Sequence, residues 1–143
     1  MMTEYTISKV DVEDLQEVMP HVQEWLEDAL SIQQDVTMDD VVMSIILEKA
    51  WLFMIHDDEE VVGTFVSSIE NHPQNSYLCI DLLGGIDYKA WGDKVRSEMR
   101  RLAKAAGLSG LVIHGRKGWA KAFPDLKVEY ITMIDRIGEE DGR

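Results

Sequence analysis

Cysteine is almost missing: Cys79 is the only one in 143 residues. An internal disulfide and a multi-cysteine metal site are therefore excluded. Cys79 lies in the apolar stretch 77–83, which reads as a buried, inert thiol rather than a nucleophile. Long apolar runs are also missing. None reaches the roughly 18 residues of a membrane span, so no membrane partner is expected. The start, Met1-Met2-Thr3-Glu4, has neither a basic n-region nor an apolar h-region and is not read as a signal peptide. His21, His56 and His72 show no metal-ligand spacing with one another or with Cys79, so no metal is expected. There is no Gly-x-Ser-x-Gly elbow and no Walker-type loop. Internal repeats and low-complexity linkers are absent too. Residues 1–143 are read as one domain with a frayed tail at 138–143. A cytoplasmic protein is expected.

Basic residues are scarce in the first half. Residues 1–87 hold nineteen acidic and two basic side chains. Residues 88–127 hold ten basic and three acidic ones, a net +7 inside a chain whose formal charge is −13. The acidic surface argues against nucleic acid as a partner, since it repels phosphates. The basic segment is read either as a patch for a small polyanion or as a plain balance of charge across a solvated surface.

Hydrophobic content of 45% marks a globular chain able to bury a core. The patterning predicts a strand over 4–10 and a helix capped by Asp11, broken at Pro20 and resumed over 22–30. Thr37 and Asp40 resemble a capping box for a further helix running to about Lys49. Strands are predicted at 51–55, 61–69 and 76–83 as a meander, with the charged turn 57–60 inside its first hairpin. In the third strand, strict alternation puts Cys79, Asp81 and Leu83 on one face. Gly84-Gly85 ends that strand, and Asp87 caps a long helix. Tyr88, Trp91, Val95, Met99, Leu102 and Ala106 form its apolar stripe, and Gly107 stops it. The strand 111–113 follows, parallel to the third by the crossover rule. Then come a short helix over 115–123 and a last strand over 127–137.

This order, with a meander feeding a crossover helix, resembles the GNAT-type N-acyltransferases. Val61-Val-Gly63, the run Thr6–Leu15 and Ala103-Lys-Ala-Ala-Gly107 resemble that family at the matching places. The run 112–119 resembles a pattern in small GNAT-like proteins of tailed bacteriophages. The resemblance implies an α/β fold with a mixed, twisted sheet flanked by helices. It also implies acetyl-CoA as the acyl donor, an amine or basic protein as acceptor, and pairing as a homodimer in many members. The chain departs from the family at the pyrophosphate turn, usually Arg/Gln-x-x-Gly-x-Gly/Ala. Here it reads Leu83-Gly-Gly-Ile-Asp-Tyr-Lys89, with no leading cation and a different spacing.

On that resemblance Leu83, Gly84, Gly85 and Lys89 are the cofactor-binding candidates, joined by Arg116 and Trp119 at the cleft mouth. The two glycines are read as a reduced phosphate nest or as a turn needing positive φ. Lys89 is read as a phosphate contact or a solvated helix residue, and Trp119 as a ligand stack or core packing. Asp81 and Tyr130 are the catalytic candidates, with Tyr88 and His114 as further acids. Asp81 is set among apolar neighbours, an environment that suits a general base, or at a wet edge. Trp25, Trp51 and Trp91 are read as core. The runner-up reading is a GNAT-like domain without catalysis that binds a host or virion protein.

Overall fold

The computed structural model describes residues 3–32, 35–115, 117–129 and 132–138. One five-stranded sheet organises them: β1 Thr6–Lys9, β2 Trp51–His56, β3 Val61–Asn71, β4 Ser76–Gly85 and β5 Gly110–Ile113. Spatial order equals chain order. The first four strands pair antiparallel, and β4 pairs parallel with β5. The parallel pair is joined by the crossover helix α3, Tyr88–Ala105. Helices α1, Leu15–Leu30, and α2, Met38–Ile46, precede β2.

Each face of the sheet buries its own core. On one face α3 places Trp91, Val95, Met99 and Ala103 against Phe53, Phe65, Leu78, Ile80 and Leu83. On the other, α1 and α2 place Val22, Leu26, Val41 and Ile45 against Leu52, Val66 and Leu82. The mixed α/β architecture is the one the element order predicts.

Local chemistry accounts for most boundaries. The capping box at α2 is complete: the Asp40 N–H donates to Thr37 Oγ1 at 3.2 Å, and the Thr37 N–H donates to Asp40 Oδ2 at 2.9 Å. The turn 57–60 is held by Asp57 Oδ1, which accepts from the Glu59 and Glu60 amides at 2.8 Å each. Gly107 adopts φ +75 after α3, as a helix stop requires.

Five expectations need correction. Helix α1 runs unbroken through Pro20. An interior proline costs about 3 kcal/mol, whereas burying Leu15, Val22, Leu26 and Leu30 contributes roughly 1.5–3 kcal/mol each. Burial wins. The α3 stripe drifts, because a straight helix turns past a fixed line. Ala103 is 2% exposed and takes the buried place after Met99, leaving Leu102 36% exposed. Asp11 and Asp87 make no side-chain cap bond, and Asp87 sits left-handed at φ 56. Helix α2 ends at Ile46, where Glu48 turns left-handed. Finally, the described part of 127–137 contains no strand. Val128 and Ile134 are 71% and 66% exposed, and Arg136 forms a bidentate pair with Asp35. Alternation alone does not make a strand: neither Val128 nor Ile134 is buried, so no packed face repays the ordering of the chain.

Trp91 closes the sheet onto α3. It is fully buried, and its Nε1 donates to the Ile86 carbonyl at 2.7 Å. A Cβ on Gly63 would stand 3.0 Å from its ring and 3.0 Å from the Gly84 carbonyl oxygen. Gly85, at φ +147, presses on β3: a Cβ there would overlap the Val62 carbonyl and stand 2.6 Å from Gly63 Cα. Gly85→Ala is expected to cost about 2–4 kcal/mol through overpacking and backbone strain. Gly107→Ala, with nothing within 4 Å, is expected to cost only about 1 kcal/mol. Urea denaturation of both variants tests this, and equal losses would refute it. A second expectation concerns the capping box. The Thr37 amide holds the Asp40 carboxyl below its ordinary range. The stabilisation is thus present above that range and is lost as pH falls through the lowered pKa. Asp40→Ala, which removes the carboxylate, should melt below wild type at neutral pH, and the gap should narrow in acid.

Candidate functional site

The site is set by where β4 and β5 part. Their ladder runs from Tyr77–Gly110 to Ile80–Ile113 and closes with the His114 N–H donating to the Ile80 carbonyl at 3.0 Å. Strand β4 continues to Gly85, so residues 81–85 have no strand partner on the β5 side among the described residues. At the same point β4 bulges. Val66 pairs with Leu82 and Ser67 with Ile80, which leaves Asp81 as the extra residue. A bulge bends a strand and re-aims its side chains. It also shifts the phase: Leu78, Ile80 and Leu83 share the α3 face, while Leu82 faces α1. The predicted alternation of Cys79, Asp81 and Leu83 is corrected accordingly.

Asp81 is half-buried and bonded rather than set among apolar groups. Its Oδ2 accepts from Ser68 Oγ at 2.6 Å, and its Oδ1 accepts from Cys79 Sγ at 3.1 Å. Burial, reinforced by the Asp81 and Glu70 carboxylates, pushes the Cys79 thiol well above its ordinary range. The face that carries Asp81 holds further polar groups. Ser68 lies opposite Cys79, and Cys79 opposite Val112. Two residues along the ladders stand Glu70 and His114, on the same face by strand geometry. The His114 Nε2 lies 3.3 Å from Glu70 Oε2, and the His72 Nε2 lies 3.4 Å from Glu70 Oε1. Sequence inspection missed Glu70 and His72, because the grouping depends on hairpin register rather than on spacing along the chain.

The glycine turn is filled by protein. A Cβ on Gly84 would stand 2.8 Å from Trp25 Cβ, and Gly85 is pressed on β3. The Ile86 N–H donates to the Val62 carbonyl at 2.8 Å. Leu83 is buried in the α3-side core. What stays open is the first turn of α3. The Tyr88 and Lys89 N–H groups donate to no described residue. They border a shallow, open pocket of about 400 Å³ lined by Tyr5, Asp87, Tyr88, Lys89 and Ala90. Lys89 is exposed there. Trp119 covers one flank: its ring meets Tyr88 edge-on at 5.2 Å and crowds Gly115, whose added Cβ would stand 2.9 Å from it. The following turn packs Ala122 onto Gly92 of α3. Arg116 and Tyr130 lie outside the described residues.

No protein-family model matches the sequence, and no curated protein matches it. Solved structures do. An aminoglycoside acetyltransferase from an uncultured soil metagenomic sample, in complex with trehalose, superposes with a TM-score of 0.66 at 10% identity. That match covers 93% of this chain and 96% of the other. A predicted acetyltransferase with acetyl-CoA from Clostridium acetobutylicum gives 0.66 at 9% identity, over 92% and 96% of the two chains. A ribosomal-protein-alanine N-acetyltransferase from Brucella melitensis biovar Abortus 2308 gives 0.65 at 14%, over 94% and 100%. The fold is that of the GNAT acetyltransferases. At these identities the likeness concerns the path of the chain.

Reactivity at Cys79 follows from its surroundings. Only the thiolate alkylates readily, and burial beside two carboxylates opposes it. Native protein at pH 8 should react with iodoacetamide about a hundredfold more slowly than the unfolded chain. A native rate equal to the unfolded one would contradict the buried, carboxylate-bonded thiol.

Proposed function

We propose that the protein is an acyl-CoA-dependent N-acyltransferase acting on an amine. The carrying observation is the parting of β4 from β5 at the Asp81 bulge. The unpaired edge over 81–85 offers amides and carbonyls to an extended, amide-bearing ligand, as an added strand would use them. The pantetheine arm of acetyl-CoA has that chemistry. Its phosphates would lie at the first turn of α3, where the Tyr88 and Lys89 amides, the helix N-terminus and the Lys89 ammonium converge. This places them a turn beyond the glycines, which serve packing instead. Arg116 and Trp119, assigned to the cleft mouth by the sequence resemblance, complete the proposed binding set.

Chemistry at the parting is direct transfer. The neutral amine attacks the thioester carbonyl, the C–N bond forms, and the tetrahedral intermediate expels the CoA thiolate as the C–S bond breaks. The nitrogen's proton passes to the Asp81 carboxylate, directly or through one water, and a proton returns to the thiolate from an acid. Tyr130 is the proposed acid. The acidic surface of residues 1–87 favours a cationic amine or a basic protein as acceptor.

A second reading is favoured by the protein-filled glycine turn: a GNAT-shaped binding protein without catalysis, in the phage setting that 112–119 resembles. Calorimetric titration with acetyl-CoA separates the two. Micromolar binding is expected, weakened about fivefold or more by Lys89→Ala, since a phosphate contact is charge-assisted. Asp81→Asn should lower kcat about a hundredfold or more and leave acetyl-CoA affinity intact. The absence of heat at millimolar acetyl-CoA, with the protein folded, would remove the transferase reading and leave the binding one.

A further inference from the structure

The face that carries Asp81 holds a donor set that acyl transfer does not require. Glu70, Cys79 and His114 each offer one ligand atom, and these atoms lie within 4.8 Å of one another. They come from three adjacent strands or strand ends, so the sheet rather than a loop holds them. Nitrogen, sulfur and carboxylate oxygen together form the mixed set that zinc accepts, at bond lengths of about 2.0–2.3 Å. Contraction of the present spacing by roughly an ångström reaches that geometry. Among the described residues no lysine or arginine ion-pairs with Glu70 or Asp81. The local charge is therefore left to the two imidazoles and to whatever binds.

We propose that Glu70, Cys79 and His114 form a three-ligand site for a divalent, thiophilic cation such as Zn²⁺, with the fourth position open to solvent. Cys79 forms the buried floor and exposed His114 the solvent side, so the ion enters past His114. The surroundings supply supporting contacts of the kind that orient metal ligands. His72 holds Oε1 of Glu70, which frees Oε2 for the ion once His114 turns from hydrogen bond to coordination. Asp81, already the acceptor of the Cys79 S–H, is the first base for the proton the thiol must lose. The balance is one hydrated cation bound, one S–M, one N–M and one O–M bond formed in place of metal-bound waters, and the one thiol proton released to solvent. Metal ligation rests on the side-chain distances that this register allows and needs no acyl donor.

The test is titration of chelator-treated, tag-free full-length protein with Co²⁺ and then Zn²⁺. One equivalent should bind, with a thiolate-to-cobalt charge-transfer band in the near ultraviolet and visible bands of tetrahedral intensity. Zinc should displace the cobalt and raise the melting temperature by mass action. Cys79→Ser should abolish the charge-transfer band. His114→Ala, at an exposed position that the fold does not need, should weaken binding about tenfold or more. Absence of one-equivalent binding at millimolar metal would overturn the proposal. So would a cobalt spectrum unchanged in both variants, which would place the ion elsewhere, for example on the exposed Asp11, Glu13 and Asp14.

Discussion

The burial of Trp91 is the constraint on which the geometry of the cleft depends. An indole can be fully buried only if its N–H finds an acceptor. Here the acceptor is the carbonyl of Ile86, in the short connection between β4 and α3. That one bond fixes how the helix leaves the sheet. It also demands room, and the room comes from glycine. Gly63 and Gly85 border the ring where any side chain would collide. Gly85 is thus explained by Trp91 and the neighbouring strand, and Gly84 by Trp25 of α1. With their space already occupied, the accessible amides are those of the first turn of α3.

A second constraint follows from the bulge at Asp81. One extra residue in β4 lets Leu78 and Ile80 face α3 before it and Leu83 face α3 after it, while Leu82 turns to α1. Both cores stay packed, and the bulge falls where the β4–β5 ladder ends. The structural cost of the bulge is an unpaired position, and the chain places a carboxylate there. Ser68 and Cys79 satisfy that carboxylate. Packing and site therefore share one cause.

The element order, the meander, the crossover helix, the capping box and the mixed α/β fold were legible because each leaves a local mark. Thr37 and Asp40 stand three apart, Trp91, Val95 and Met99 recur at helical spacing, and Gly107 stops the helix. What escaped was decided by partners distant in sequence. Pro20 looks like a break until the burial of Leu15, Val22, Leu26 and Leu30 is weighed against it. Val128 and Ile134 alternate like a strand, but neither finds a core to bury against. The bulge at Asp81 leaves no residue-type signal, since Leu78 to Leu83 is apolar on both sides of it. The candidate site was legible to the extent that Asp81 and Lys89 could be singled out by type. Their surroundings were not.

The grouping of Glu70, Cys79 and His114 shows why spacing along the chain was the wrong measure for a sheet protein. Loops and helices bring ligands together through short intervals, so their motifs can be read as intervals. A sheet brings them together through register. Ser68 faces Cys79 and Cys79 faces Val112, and the residues two along each strand follow to the same face. A slip of one residue in β3 against β4 would turn Glu70 to the opposite face, away from Cys79 and His114. The apolar pairs Phe65–Leu83 and Val66–Leu82 oppose such a slip, because each would exchange cores. The hydrophobic effect thus holds a polar constellation that it does not itself contact.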